Sequence, residues 1–230
     1  MHNNTVAEFY LSDNYSHTHE IVVKKSRFIA HISSTSTVEL ARDTINNIKS
    51  SMPDARHHCT AYIIKELETP TMHSSDDGEP SGTAGRPMLD VLTGLKLANI
   101  TAIVTRYFGG TLLGTGGLVR AYSDAVKEAL ENTVVHTHIQ TPVYTVTLPH
   151  ADAGKYITHL SHETTPDISY IDAGVVLRIP TLHKERLETM IAQLSAGTIT
   201  VEDCGKTTIK EPYGKITEGK IVPFSSSVAQ

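Results

Sequence analysis

The chain has 230 residues, 39% of them hydrophobic and 20% charged, with a formal charge of -5 and two cysteines. That size fits one or two domains of about 100–150 residues, each with a real core, and Cys59 and Cys204 form neither a disulfide framework nor a CxxC pair, which fits a reducing compartment. Up to residue 140 there are 12 basic against 15 acidic side chains, and beyond it 8 against 10, so neither half has the cationic excess that phosphate neutralisation asks of a nucleic-acid-binding domain.

The opening MHNNTVAEFYLSDNYSH lacks a basic region followed by an apolar core, and no stretch approaches the ~18 apolar residues of a spanning helix, so a cytoplasmic protein with no membrane contact is expected. HEIVVKKSRFIAHIS (19–33) reads as two short strands, or one with a bend at Lys24–Lys25–Ser26. Ser36 and Glu39 form a capping box ahead of Val38, Ala41, Ile45 and Ile48 at helical spacing, and Pro53 ends that segment. CTAYII (59–64) is a buried strand, whereas 65–85 has loop chemistry with no regular element. Pro87 opens a helix with Met88, Val91, Leu92 and Leu95 on one face. NITAIVTRY (99–107) is apolar on both faces and so central in a sheet. A glycine loop follows, then a helix from about Leu118 to Leu130.

A seam at ENTVVHTHIQTPVYTVTLP separates a second pattern: strand 143–148, helix 151–162, strands 167–172 and 174–179, helix 183–195, and a strand from 198 to about 204. That β-α-β-β-α-β order is the ferredoxin-like arrangement, two helices on one face of an antiparallel sheet. The expected fold class is therefore α+β, with a first domain at 1–138, a second at 139–215 and a tail at 216–230.

Nine of the 15 glycines lie between positions 78 and 117, which places the chemistry in the first domain. In RYFGGTLLGTGGLVRAY a strand end, a glycine loop and a helix start bring backbone amides and the helix dipole toward one point, an arrangement suited to a phosphate-like anion, with Arg106 and Arg120 adding charge. No Walker A or dinucleotide fingerprint is present; a tightly packed loop that binds nothing is the competing reading. In SDDGEPSGTAGRP, Asp76, Asp77 and Glu79 suggest a divalent-cation set, but the spacing fails the EF-hand pattern, and turn capping or pairing with Arg86 and Arg106 explains them as well. No metal site and no cofactor are expected. Cys59 reads as a small buried residue, and His57, at the strand mouth, as a site residue.

KKSRFIA, ARHHCTAY, SDDGEPSGTAGRP and VTRYFGGTLLGTGGLVRAY, in this order and at these separations, resemble the IMPACT family in its bacterial, YigZ-type form. The resemblance runs along the whole chain. It implies a first domain of the ribosomal-protein-domain-2-like α/β fold and a second like the ferredoxin-like fifth domain of elongation factor G. It also implies a link to translation under stress, since eukaryotic relatives look like regulators that bind the activator of a stress-responsive kinase. The motif residues carried over are Ser26, Arg27, Phe28, His57, Cys59, Tyr62, Asp76, Asp77, Glu79, Thr83, Arg106, Tyr107, Gly109, Gly110, Gly114, Gly116, Gly117, Arg120 and Tyr122. Leu112 stands where family members commonly carry Lys, and Thr60 where an aromatic often follows the Cys.

Two readings stay open. In one, a regulatory binding protein presents a cleft between the two glycine loops to a protein partner, or to the ribosome or RNA, through His57, Asp76, Asp77, Glu79, Thr83, Arg106, Gly109, Gly110, Gly114, Gly116, Gly117 and Arg120. In the other, a small-molecule enzyme uses the same constellation on a phosphorylated or nucleotide-like ligand, with Asp77 or Glu79 holding Mg²⁺ or taking a proton.

Overall fold

In the computed structural model, residues 8–66, 69–161 and 164–224 are described. The chain divides into two compact units, Met1–Thr137 with Pro212–Gln230, and His138–Glu211. The expected boundaries thus shift: the segment from 216 groups with the first unit and contains a strand, Lys220–Pro223, while its last residues, 225–230, lie outside the described ones, as do residues 1–7 of the opening segment.

The first unit holds strands β1 (Ser16–Val23), β2 (Ser26–Ser34), β3 (His57–Ile64), β4 (Thr71–Ser75) and β5 (Ile100–Tyr107) and helices α1 (Val38–Ser51), α2 (Gly85–Gly94) and α3 (Thr115–Leu130). The strands form an antiparallel sheet in the order β1-β2-β5-β3-β4, with β5 central as its two-sided apolar run requires. β1 and β2 close on a two-residue turn, Lys24–Lys25, with φ of 47° and 68°. Positive φ at both central residues is what a tight hairpin of right-twisted strands demands, and it usually falls to Asn-Gly. β4 overturns the expectation of an element-free 65–85. It is a five-residue edge strand of largely exposed side chains in which Met72 is the one apolar residue, so it carries no hydrophobic alternation to announce it.

Alternation along β3 assigns the sheet's two faces. Cys59, Ala61 and Ile63 join Phe28, Ala30, Val104, Met88, Leu92 and the α3 stripe of Leu118, Ala121, Tyr122, Ala125 and Ala129 in the main core. Tyr62 and Ile64 point the other way, against Ala41 on α1. Each large apolar side chain so buried contributes roughly 1.5–3 kcal/mol. The cap of α1 is Thr37, whose hydroxyl accepts from the Leu40 amide at 3.1 Å, rather than the Ser36–Glu39 box. Pro87 sits in the first turn of α2, where its missing N–H costs nothing, and α3 begins three residues earlier than expected, taking Gly116 and Gly117 into its first turn.

The expected seam is itself a strand, β6 (Val134–Leu148). Beyond it lie α4 (Ala153–Leu160), β7 (Asp167–Ile171), β8 (Gly174–Pro180), α5 (Lys184–Ser195) and β9 (Glu202–Thr217), followed by β10 (Lys220–Pro223), which pairs with the end of β9. Strand order in the second unit is β9-β6-β8-β7, with β8 antiparallel to both neighbours. Tyr144, Val146, Leu148, Tyr156, Leu160, Val175, Leu177, Leu187 and Ile191 form its core.

Gly109 shows what one loop glycine is for. A Cβ there would overlap the Lys25 carbonyl and the Ser26 nitrogen, so the loop after β5 can rest on the β1–β2 turn only without a side chain. Gly116, helical, has nothing within 4 Å of where a Cβ would stand. Gly109→Ala is therefore expected to destabilise by about 1–3 kcal/mol in urea denaturation, whereas Gly116→Ala leaves stability unchanged or raises it by up to about 1 kcal/mol.

Candidate functional site

Arg106 is the last inward-facing residue of β5, in register with Phe28 on β2 and His57 on β3. Its guanidinium lies 5.4 Å from the ring centre of Phe28 and 5.6 Å from that of Phe108. Nη1 donates to Glu79 Oε1 at 2.6 Å, and the Tyr122 hydroxyl donates to the same oxygen at 2.8 Å. Nη2 reaches Ser26 Oγ at 3.5 Å, and that oxygen also accepts the Gly109 amide at 3.1 Å. The Arg106 and Glu79 side chains are only 7% and 4% exposed, and Arg106 Nε is buried without a partner. One ion pair thus gathers the β1–β2 turn, the 76–85 loop, the end of β5, the glycine loop and α3.

The other two carboxylates of SDDGEP are equally engaged. Asp76 accepts from the amides of Gly82 (2.7 Å), Ala84 (3.0 Å) and Gly85 (2.8 Å), and so caps α2, whose own N-cap, Ala84, has no side chain to do it. Burial pushes the Asp76 carboxyl up, but the three amides together outweigh it and hold its pKa below the ordinary carboxylate value. Asp77 accepts from Lys49 Nζ at 2.9 Å and from the His58 amide at 2.7 Å; burial again opposes, and these donors again win, leaving its pKa lowered. The cation pairings expected for this loop are thus revised: Arg106 meets Glu79, Arg86 meets Asp90 on its own helix, and the partner of Asp77 is Lys49.

His57 Nδ1 bonds the Asp77 carbonyl at 2.9 Å, and the Thr83 hydroxyl closes a turn on the Pro80 carbonyl at 2.6 Å. Cys59 is fully buried, its thiol 3.0 Å from the Asp76 carbonyl and its pKa pushed up to about 12 by burial. It is packing, not a nucleophile.

Gly110 and Gly114 take φ of 83° and 74°, and α3 starts at Gly114 with no side-chain cap. No hydrogen bond among the described residues joins Gly114, Gly116, Gly117 or Arg120 to Asp76, Asp77 or Glu79. The structure therefore gathers His57, Asp76, Asp77, Glu79, Arg106 and Gly109 into one network, while Thr83 bonds only within its own turn and, among the described residues, Gly110 and the α3 start have no hydrogen bond to it. Among the described residues no cluster of three or more His, Cys, Asp or Glu could hold a metal ion. Ser26 and Tyr122, motif residues without a role in the sequence reading, complete the network. Tyr122 was legible as the fourth residue after Leu118 on the α3 stripe; Lys49, on the solvated side of α1, carried no signal.

The Impact N-terminal domain matches residues 24–130, the span that holds all of these groups. The IMPACT family member YvyE of Bacillus subtilis (strain 168) is 52% identical over 114 residues, 50% of this chain and 52% of that protein, and the IMPACT family member YigZ of Escherichia coli (strain K12) is 46% identical over 127 residues, 55% and 61%. Residues 24–130 thus form an N-terminal domain of the IMPACT family. These matches span between half and two thirds of the two relatives' length. A crystal structure described only as that of a hypothetical protein superposes with a TM-score of 0.54 at 33% identity, covering 85% of this chain and 96% of its own.

Breaking the IMPACT-domain ion pair from one side strands a buried charge. Glu79→Ala is expected to cost about 3–5 kcal/mol, and the double variant Glu79→Ala/Arg106→Met less than the sum of the two singles, read as a double-mutant cycle in urea. For Asp76, a carboxyl whose folded pKa is depressed contributes stability that is present above the unfolded pKa and lost as pH falls through the folded one, here below about pH 4. Asp76→Asn, measured by thermal unfolding across pH 2–7, is expected to be less stable at pH 7 and to show a shallower acid decline.

Proposed function

We propose that the protein is a cytoplasmic regulatory binding protein linked to translation, and that its first unit engages a protein partner on the glycine-loop surface. The observation that carries this reading is the loop's outward face. Phe108 is 50% exposed and Leu112 82% exposed, and the loop rests on the Lys24–Lys25 turn, whose two lysines pair with nothing among the described residues. Exposed apolar side chains beside unpaired cations suit a protein surface that offers an apolar residue flanked by carboxylates. Leu112, which removed a cation from the anion pocket read in the sequence, is here the apolar anchor.

The IMPACT-family domain at 24–130 supports the regulatory role and its link to translation. The β9-β6-β8-β7 order supports naming the second unit ferredoxin-like, and we assign the first to the ribosomal-protein-domain-2-like fold on the resemblance. The enzyme reading loses ground because Asp76 and Asp77 spend both carboxylate oxygens on internal donors and Glu79 is buried against Arg106 and Tyr122.

Affinity capture with the full chain, with and without nuclease, tests the proposal. A ribosome-associated or other specific protein retained after nuclease and lost with Leu112→Asp is expected. Recovery that disappears with nuclease and ignores Leu112→Asp points to nucleic acid instead, and recovery of neither overturns the binding role.

A further inference from the structure

The opposite face of the first unit's sheet carries a groove of about 330 Å³ between α1 and strands β3 and β4. Its volume lies at the small-ligand end of the range for binding pockets. Arg42, Asn46 and Lys49 project into it from successive turns of α1, and Thr60, Tyr62 and His73 from the sheet. Every formally charged group in the lining is a cation. Arg42 has no carboxylate partner among the described residues, although Asp43 and Glu39 share its helix. Thr60 and Tyr62 are 3% and 5% exposed, yet neither hydroxyl has a hydrogen-bond partner among the described residues.

Neither hydroxyl is among the enclosed polar atoms that lack a partner, so each keeps a solvent-accessible tip through which it can bond a ligand. Alternation along β3 turns both toward this groove, away from Cys59 and Ala61. His73 stacks on Tyr62 with ring centres 5.0 Å apart, fixing the phenol's orientation from outside. A guanidinium and an ammonium select an anion, with Arg42 offering the planar fork that fits a phosphate; two hydroxyls and the Asn46 amide beside them select a ligand that is itself rich in hydroxyls.

We propose that this groove is a binding site for a small phosphomonoester of a sugar or polyol, its phosphate on Arg42 and Lys49 and its hydroxyls on Thr60, Tyr62 and Asn46. The site is independent of the glycine-loop surface but not of the loop that holds Glu79, because Lys49 is also the partner of Asp77. Asp77 sits at φ 44°, a conformation that costs a non-glycine residue, and its carboxylate bonds to Lys49 and the His58 amide help hold it there. A phosphate that draws Lys49 away loosens one of those two ties.

Calorimetric titration of the full chain with ribose 5-phosphate, ribose, inorganic phosphate and adenosine monophosphate tests this. Saturable binding of ribose 5-phosphate is expected, weaker binding of inorganic phosphate, and none of ribose. Arg42 is exposed and bonded to nothing described, so Arg42→Ala is expected to leave the unfolding temperature unchanged and to weaken ribose 5-phosphate at least about tenfold. Tyr62→Phe, which removes only the hydroxyl, is expected to weaken it several-fold. Leu112→Asp is expected to leave it untouched, which separates this site from the partner surface. Tighter binding of adenosine monophosphate than of ribose 5-phosphate, still lost with Arg42→Ala, keeps the phosphate site but overturns the sugar assignment. No saturable binding of any phosphate ester, or equal binding by Arg42→Ala, overturns the site.

Discussion

Arg106 and Glu79 are both charged, both almost wholly removed from water, and 2.6 Å apart. Taking each from solvent costs several kcal/mol, and their attraction recovers that only where geometry is good and remaining donors and acceptors are met. Here Tyr122 supplies a second hydrogen bond to the carboxylate, Ser26 a weak third contact to the guanidinium, and Phe28 and Phe108 offer ring faces to the cation. Replacing such a pair with apolar side chains of similar volume is often neutral or better for stability. What the pair contributes instead is position: groups spread from Ser26 through Glu79 and Arg106 to Tyr122 are referred to one fixed oxygen and one fixed guanidinium, and the glycine loop is held by the serine that also touches that guanidinium.

The glycines divide accordingly. Gly109 is small because the Lys25 backbone occupies the space a side chain would need, and Gly114 is glycine because φ 74° at the α3 N-cap is hard for any other residue. Neither reason requires a ligand. The convergence of amides that made the stretch resemble an anion cradle follows from packing a loop on a hairpin turn and then starting a helix. The carboxylates thought to face that cradle are engaged elsewhere, capping α2, holding Lys49 and burying Arg106. Phe108 and Leu112 stay outside, and the proposed partner surface rests on these exposed apolar side chains rather than on charge capture.

Periodicity made most elements legible. The β5 core strand, the α3 stripe and the alternation of β3 each announced themselves through which residues were apolar, and four in-order motifs marked the family. β4 did not, because an exposed edge strand has no face to bury; nor did the full length of β6, whose first half, VVHTHIQ, alternates too weakly to separate strand from connector. Within the site, the types of Asp76, Asp77, Glu79 and Arg106 were readable but not their pairings. Pairing is set by which loop lies over which strand, and Lys49 reaches Asp77 from a helix 28 residues upstream.

That last contact gives Asp77 an unusual place in the molecule. Its main-chain oxygen takes the His57 imidazole on the face of the sheet where Cys59 and Arg106 lie, while its carboxylate reaches Lys49 on the face covered by α1. The residue before it caps α2, and the residue two after it accepts from Arg106. Four consecutive positions therefore tie a helix start, a buried cation and the opposite sheet face to one short turn, held in a left-handed conformation by its own hydrogen bonds rather than by a glycine at position 77. A turn stabilised by bonds can be released by competition for one of them, whereas one stabilised by glycine cannot. An anion settling on Lys49 competes for one such bond, so the acidic turn is the element through which events on the α1 face could reach the Arg106 network.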